Sequence, residues 1–398
     1  MKKALATILA LVMAIGLCSV SWATGSTLPT AENGVIKLTE NVTLTERWEV
    51  AANTEITLDL NGYSITSAGQ VIMNNGKLTI TDNKGGGKIV STGSQAIGVG
   101  SNSVTNIQKA IVESVEGAVI TGRAIGAIIN IYDGTFSASD NAVIAGNGSD
   151  REGTGNTINI SGGVFNGKIT TPGYVACGIY APWKDNINVT GGTFNITGGA
   201  GIVARAGNVT VTNAVFNTTG NATGKVGDSR VVVPCSAIVF DSQANYPAMN
   251  NDSVIHVVSG KFNSEMNAVS MIKNGNETDR VAVTGGTFST DVKEYLAEGK
   301  ILQKNGDTYT AVTNSGITSG TYTAKPTVPD GYKVVENTDG TFTVEKVGGY
   351  YYYQPTTDTK TTDTKGSPKT FDAGIALYVG MALTSAAGVA FVGKKRED

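Results

Sequence analysis

Apolar positions along this chain recur as a fixed motif, and the motif lacks the 3.6-residue rhythm of an amphipathic helix. Its clearest copy is Ile187-Asn188-Val189-Thr190-Gly191-Gly192-Thr193-Phe194, and further copies end at Phe136, Phe165, Phe216, Phe262 and Phe288. Seven residues before each Phe stands Ile or Val (Ile129, Ile158, Ile187, Val209, Ile255, Val281), and five before it another (Ile131, Ile160, Val189, Val211, Val257, Val283). Such alternation predicts a strand with one buried face. Two before Phe lies Gly134, Gly163, Gly192, Ala214, Gly260 or Gly286, which predicts a bend where a side chain does not fit. Ser137, Asn166, Asn195, Asn217, Asn263 or Ser289 follows each Phe, so a polar column runs beside the apolar one.

Successive Phe residues are 29, 29, 22, 46 and 26 positions apart, the length of one solenoid coil whose apolar face is buried only by its neighbours. The expected fold is therefore all-β: a parallel β-helix over residues 24–290, with Ile, Val and Phe columns inside and Asn and Ser ladders outside. A sandwich of antiparallel hairpins is the alternative, but it has no need of the same polar residue after every Phe. Val35-Ile36-Lys37-Leu38, Val42-Thr43-Leu44 and Glu55 to Gly62 read as entry coils, and Leu78-Thr79-Ile80 as a weaker copy of the unit.

Each coil carries a further strand, as in Ala142-Val143-Ile144-Ala145, Gly178-Ile179-Tyr180-Ala181, Gly201-Ile202-Val203-Ala204 and Ala237-Ile238-Val239-Phe240. If Val143, Ile179, Ile202, Ile238 and Val269 face inward, then Ile144, Tyr180, Val203 and Val239 form an outward apolar stripe, which is normally covered or used. The long coil holds two Pro-containing insertions, 218–234 and 242–252, long enough to be lids over the stripe or loops for recognition. With Tyr180, Trp183 and Tyr246 they make the candidate ligand-facing patch, aromatic faces being suited to sugar rings or a protein partner.

Composition narrows the function. The 398 residues include 51 Gly and only 16% charged side chains, a mix that stacked β-structure tolerates. Net charge is −3, which gives nucleic acid no basic surface. Cys177 and Cys235 lie in equivalent strands two coils apart, ~9.6 Å at the strand spacing and beyond disulfide reach, so two buried free thiols are expected. The exposed columns of the motif strand are Asn130, Asn159, Asn188, Thr210, His256, Ala282 and Tyr132, Ser161, Thr190, Thr212, Val258, Thr284. They contain no acid–base set, and no catalytic residue, cofactor or metal site is assigned. Arg205 and Asp241, at matching places on neighbouring coils, are the one pair an enzyme would use, and a screened surface ion pair is the expectation.

The two ends carry targeting patterns. Lys2-Lys3, the apolar run Ala4 to Val20 and Ser21-Trp22-Ala23 read as an export signal over residues 1–23. Beyond the solenoid, 291–347 reads as a short capped helical turn at Asp291 to Glu294 followed by small β modules with Asn/Asp-Gly turns, and 348–366 as a polar, disordered linker. Residues 373–393 carry no charge and are long enough for a membrane-spanning helix, with Lys394-Lys395-Arg396 held on the cytoplasmic side.

The Leu58-Asp59-Leu60-Asn61-Gly62 run and the Gly-Gly-x-Phe units resemble the right-handed parallel β-helix domains, pectate-lyase-like in architecture, of Gram-positive surface proteins. Ser367-Pro368-Lys369-Thr370 resembles the LPxTG-type sortase sorting signal; Pro368 and Thr370 match, while Ser367 replaces Leu and Phe371 replaces the Gly after the cleaved Thr. The resemblance implies sortase and peptidoglycan as partners, a cell-wall or membrane anchor, and an adhesin-like protein presenting its β-helix to a glycan or protein. A polysaccharide lyase or hydrolase of the same architecture, and a purely structural stalk, are the alternatives.

Overall fold

The computed structural model describes residues 27–122, 124–139, 141–146, 155–227, 232–241, 254–272 and 280–348. The export segment, residues 228–231 and 242–252 with Tyr246, the linker past Gly348, the sorting signal and the expected span all lie outside them. Within the described residues the chain is a parallel β-solenoid of about nine turns.

Each turn contributes one strand to each of three sheets. Sheet 1 has ten strands, from Val35–Lys37 to Val281–Val283; sheet 3 has nine, from Trp48–Val50 to Val269–Ile272. Sheet 2 begins at Val42–Leu44, and its solenoid part ends at Thr287–Phe288. The motif therefore supplies two strands, not one: Asn186–Val189 lies in sheet 1, and Thr193–Thr197, with Phe194, starts sheet 2. Equivalent residues are in register, with Ile187 beside Ile158 and Val209, and Phe194 beside Phe165 and Phe216.

Parallel in-register stacking puts like on like. All six Phe side chains are fully buried, and their rings stack at centroid distances of 5.0, 4.4, 4.5, 5.5 and 5.0 Å, nearly parallel. The corner before Phe needs a left-handed residue. Gly192 has φ +98°, and a Cβ there would lie 3.2 Å from the Phe165 ring. Where Ala214 replaces this glycine, the positive φ moves one place back to Asn213 (φ +58°), a residue type that tolerates it.

The C-terminal end of the solenoid is closed by the chain itself. Val292 is buried in the main core with Tyr295 and Leu296 packed against it, around a single 3₁₀ turn at Lys293–Tyr295. The Asp291 carboxylate accepts the Lys293 N–H at 2.8 Å, but the N-cap position falls on Val292, which makes no side-chain cap bond, so the expected capping box is not formed. Sheet 2 then continues with antiparallel strands: Thr308–Thr313 pairs with Thr287–Phe288 and with Lys300–Asn305, followed by Gly320–Tyr322, Phe342–Lys346 and Tyr332–Glu336. A two-residue turn with Gly306 at φ +60° closes the first hairpin.

Candidate functional site

The third strand of each turn departs from simple alternation. Ile144 aligns with Ile179, Ile202, Ile238 and Val269, and both Val143 and Ile144 are buried in the main core. The expectation of Ile144 facing outward is therefore corrected. Strand parity fails where the chain bends into the sheet, and Ala145 takes the outward place beside Tyr180 and Val203.

The outward stripe is not open. Val203 and Val239 are fully buried in a second apolar cluster that includes Cys177, Val226, Val233 and Cys235. Val226 and Val233 belong to the first insertion, whose strands Thr223–Lys225 and Val232–Pro234 pair antiparallel. The insertion thus folds down as a lid. Both cysteines are buried free thiols, as expected, and burial pushes the Cys177 thiol far above its ordinary value and the Cys235 thiol above its own.

The aromatic patch is not assembled as the sequence suggested. Tyr180 is half-buried, its hydroxyl 3.4 Å from Arg205 Nη1. Trp183 is fully buried and offers no ring face to solvent; its Nε1–H has no hydrogen-bond partner among the described residues. Arg205 and Asp241 do meet, Nε donating to Oδ2 at 2.8 Å, but their side chains are 7% and 0% exposed. The expected surface ion pair is a buried one, walled by the corner between sheets 3 and 1, and losing one partner would strand a charge. Nearby, buried Asp185 accepts the Asn156 backbone N–H at 2.8 Å and its side-chain N–H at 3.0 Å, while Asn156 caps Ala127 and Ala124 of the coil below.

Polar chemistry instead faces outward from the sheets. On sheet 1, Asn130, Asn159 and Asn188 each donate to the Asn one coil earlier at 2.8–2.9 Å, starting from Asn106. His256 continues this column, exposed, beside Thr210. On sheet 2, Asn195, Asn217 and Asn263 do the same from Asn166 at 3.2, 2.9 and 2.9 Å. The sheet 2 ladder was legible from the residue after each Phe, and the sheet 1 ladder from the polar residue between the two Ile or Val positions of each motif.

A groove beside the second ladder was not. Its floor is the outer face of sheet 2, where Glu113, Ser137, Asn166 and Asn195 are in register, as are Ser139, Lys168 and Thr197. This part encloses about 480 Å³, and a continuation of about 370 Å³ past Ser139 is lined by Glu116, Asn141, Tyr174 and Gly227. The inserted hairpin edges only the Ser139 end: Lys225 bridges to Tyr174, and Gly227 (φ +48°) stands where a Cβ would run into the Asn141 side chain, while the part from Glu113 to Thr197 is lined by sheet 2 alone. Lys168 is exposed, Lys88 pairs with Glu113 at 2.9 Å, and Ser94 donates to Glu116 at 3.2 Å.

Among the described residues, no group of three or more His, Cys, Asp or Glu is placed to hold a metal ion, and no helix is long and apolar enough to cross a membrane. Comparison with protein-family profiles, curated proteins and solved structures finds no match to this chain, so the fold rests on its own register and the function on the residues above.

Proposed function

We propose that the chain is a non-catalytic binding protein of adhesin type, exported, held at the cell surface, and displaying its solenoid to an extracellular ligand. The observation that carries this reading is the division of side chains between surface and interior. The outward faces of sheets 1 and 2 present ladders of neutral amides and hydroxyls, while the charged pair an enzyme would use, Arg205 and Asp241, is sealed in a buried contact. Proton transfer needs ionisable groups converging on a substrate; ladders of amides supply hydrogen bonds.

Attachment is supported by the sequence at both ends. Lys2-Lys3 and the apolar run to Ala23 fit export, and Ser367 to Thr370, the uncharged 373–393 and Lys394-Lys395-Arg396 fit a sortase-type or membrane anchor. Sortase joins the Thr370 carbonyl to peptidoglycan in this reading, and where Phe371 blocks the cut, the helix is the anchor. Fractionating cells that produce the full chain tests it. The expected result is wall-linked chain lacking 371–398, or intact chain in the detergent fraction, and in either case cells that retain a ligand-coated surface better than cells without it. Chain recovered free in the medium, or cells that bind no better, would overturn the reading.

A further inference from the structure

We infer that the groove on sheet 2 is the ligand site, and that it takes a neutral oligosaccharide running along the solenoid axis; this rests on the binding reading above. At its Ser139 end the groove meets the inserted hairpin, the irregular part of an otherwise periodic chain. Its floor crosses successive coils from Glu113 to Asn195, about 14 Å at the strand spacing, so it matches an extended ligand. Beyond Ser139 its edge is formed by Tyr174 and Gly227, where the hairpin lies alongside Asn141.

The chemistry selects the ligand class. In the floor Asn195 donates one N–H to Asn166 and accepts one from Asn217, so the ladder uses only part of the hydrogen-bonding capacity of these two amides. Ser139 and Thr197 flank these amides, and Lys168 stands between them. Sugar hydroxyls both donate and accept, and so suit alternating amide and hydroxyl partners. An added peptide strand does not suit this floor, because the backbone there is already paired within the sheet and only an edge accepts a strand. Charge is balanced: Lys88 and Lys168 offset Glu113 and Glu116, which gives a polyanion no advantage.

The test uses the full chain with neutral hexasaccharides (cello-, manno- and xylohexaose) and an anionic oligogalacturonate, read by titration calorimetry. Thr197→Trp fills the groove from an exposed position, Lys168→Ala removes a donor, and Asp307→Trp, in the exposed turn between Lys300–Asn305 and Thr308–Thr313, is the control; thermal melts confirm that all are folded. We expect a neutral probe to bind the unmodified chain, Thr197→Trp to weaken it at least about tenfold and Lys168→Ala about threefold, with Asp307→Trp unchanged. Binding indifferent to Thr197→Trp, or preference for the anion, overturns the groove assignment. Failure to bind any glycan while cells displaying the chain still adhere overturns it too and leaves the binding reading standing. Cleavage of the probe overturns the reading itself.

Discussion

At the scale of single residues, the Phe column is the strongest determinant. Phe194 is fully buried with ring neighbours on both sides, 4.4 and 4.5 Å away, and neither neighbour can shift without disturbing the next coil. Phe194→Ala is expected to cost about 3–5 kcal/mol in denaturant-induced unfolding, as a mid-stack cavity. A loss under about 1 kcal/mol would mean the stack collapses onto the gap. The thiols give a second test. Cys177 is held protonated by burial above the ordinary 9.0, so its stabilising contribution is complete below that pH and is lost as pH rises past it, where the unfolded chain ionises and the folded one does not. Native protein should leave both thiols unreactive to an aromatic disulfide reagent at pH 8, and stability should fall above about pH 9. The Phe column and the free thiols were legible because identical spacing forces identical environment. The inward turn of Ile144 and the burial of Trp183 and Arg205 were not: both depend on how a corner bends, and a one-residue irregularity there reverses parity.

At the scale of elements, two devices tie neighbouring coils together. In the turn from sheet 1 to sheet 2, Asp59 accepts the Asn61 N–H at 2.9 Å and the Asn83 backbone and side-chain N–H groups at 3.3 and 3.1 Å, with Lys37 at 3.9 Å. Burial pushes its carboxyl up, but the Asn83 and Asn61 hydrogen bonds and Lys37 outweigh this and hold it below the ordinary 3.8. Its contribution is therefore present above that pH and lost as pH falls through the lower folded value. Asp59→Asn is expected to cost about 1–3 kcal/mol at pH 7 and to flatten the acid limb of the stability curve below pH ~4. An unchanged acid limb would show that the staple is not what titrates. The inserted hairpin is the other device. Replacing 223–234 by a short Gly-Ser turn should uncover Val203, Val239 and Cys177, seen as dye binding and a newly reactive thiol while the far-UV spectrum persists. A silent dye and an inert thiol would show that another segment seals the stripe. The sequence revealed the stripe and the surplus length, but the direction in which a loop folds is set by packing that no local pattern records. For the same reason the hairpin at the edge of the groove could not be foreseen.

At the scale of the molecule, in-register stacking makes one continuous solenoid core from many short strands, none longer than six residues among the described ones, each buried by its neighbours. The same repetition that stacks Phe on Phe inside stacks Asn on Asn outside, so a surface of regularly spaced amides is a consequence of the fold, and one insertion edges the far end of the groove on that surface. The function proposed for this surface is binding without catalysis. The most direct measurement is to saturate the full chain with the neutral hexasaccharide it binds, hold the mixture at 37 °C for a day, and analyse the recovered sugar by mass spectrometry. The account predicts that the probe is retained by the protein and returned at its original mass, with Arg205→Lys changing neither result. Shortened or unsaturated fragments that disappear in Arg205→Lys would contradict it and make the buried pair part of an active site.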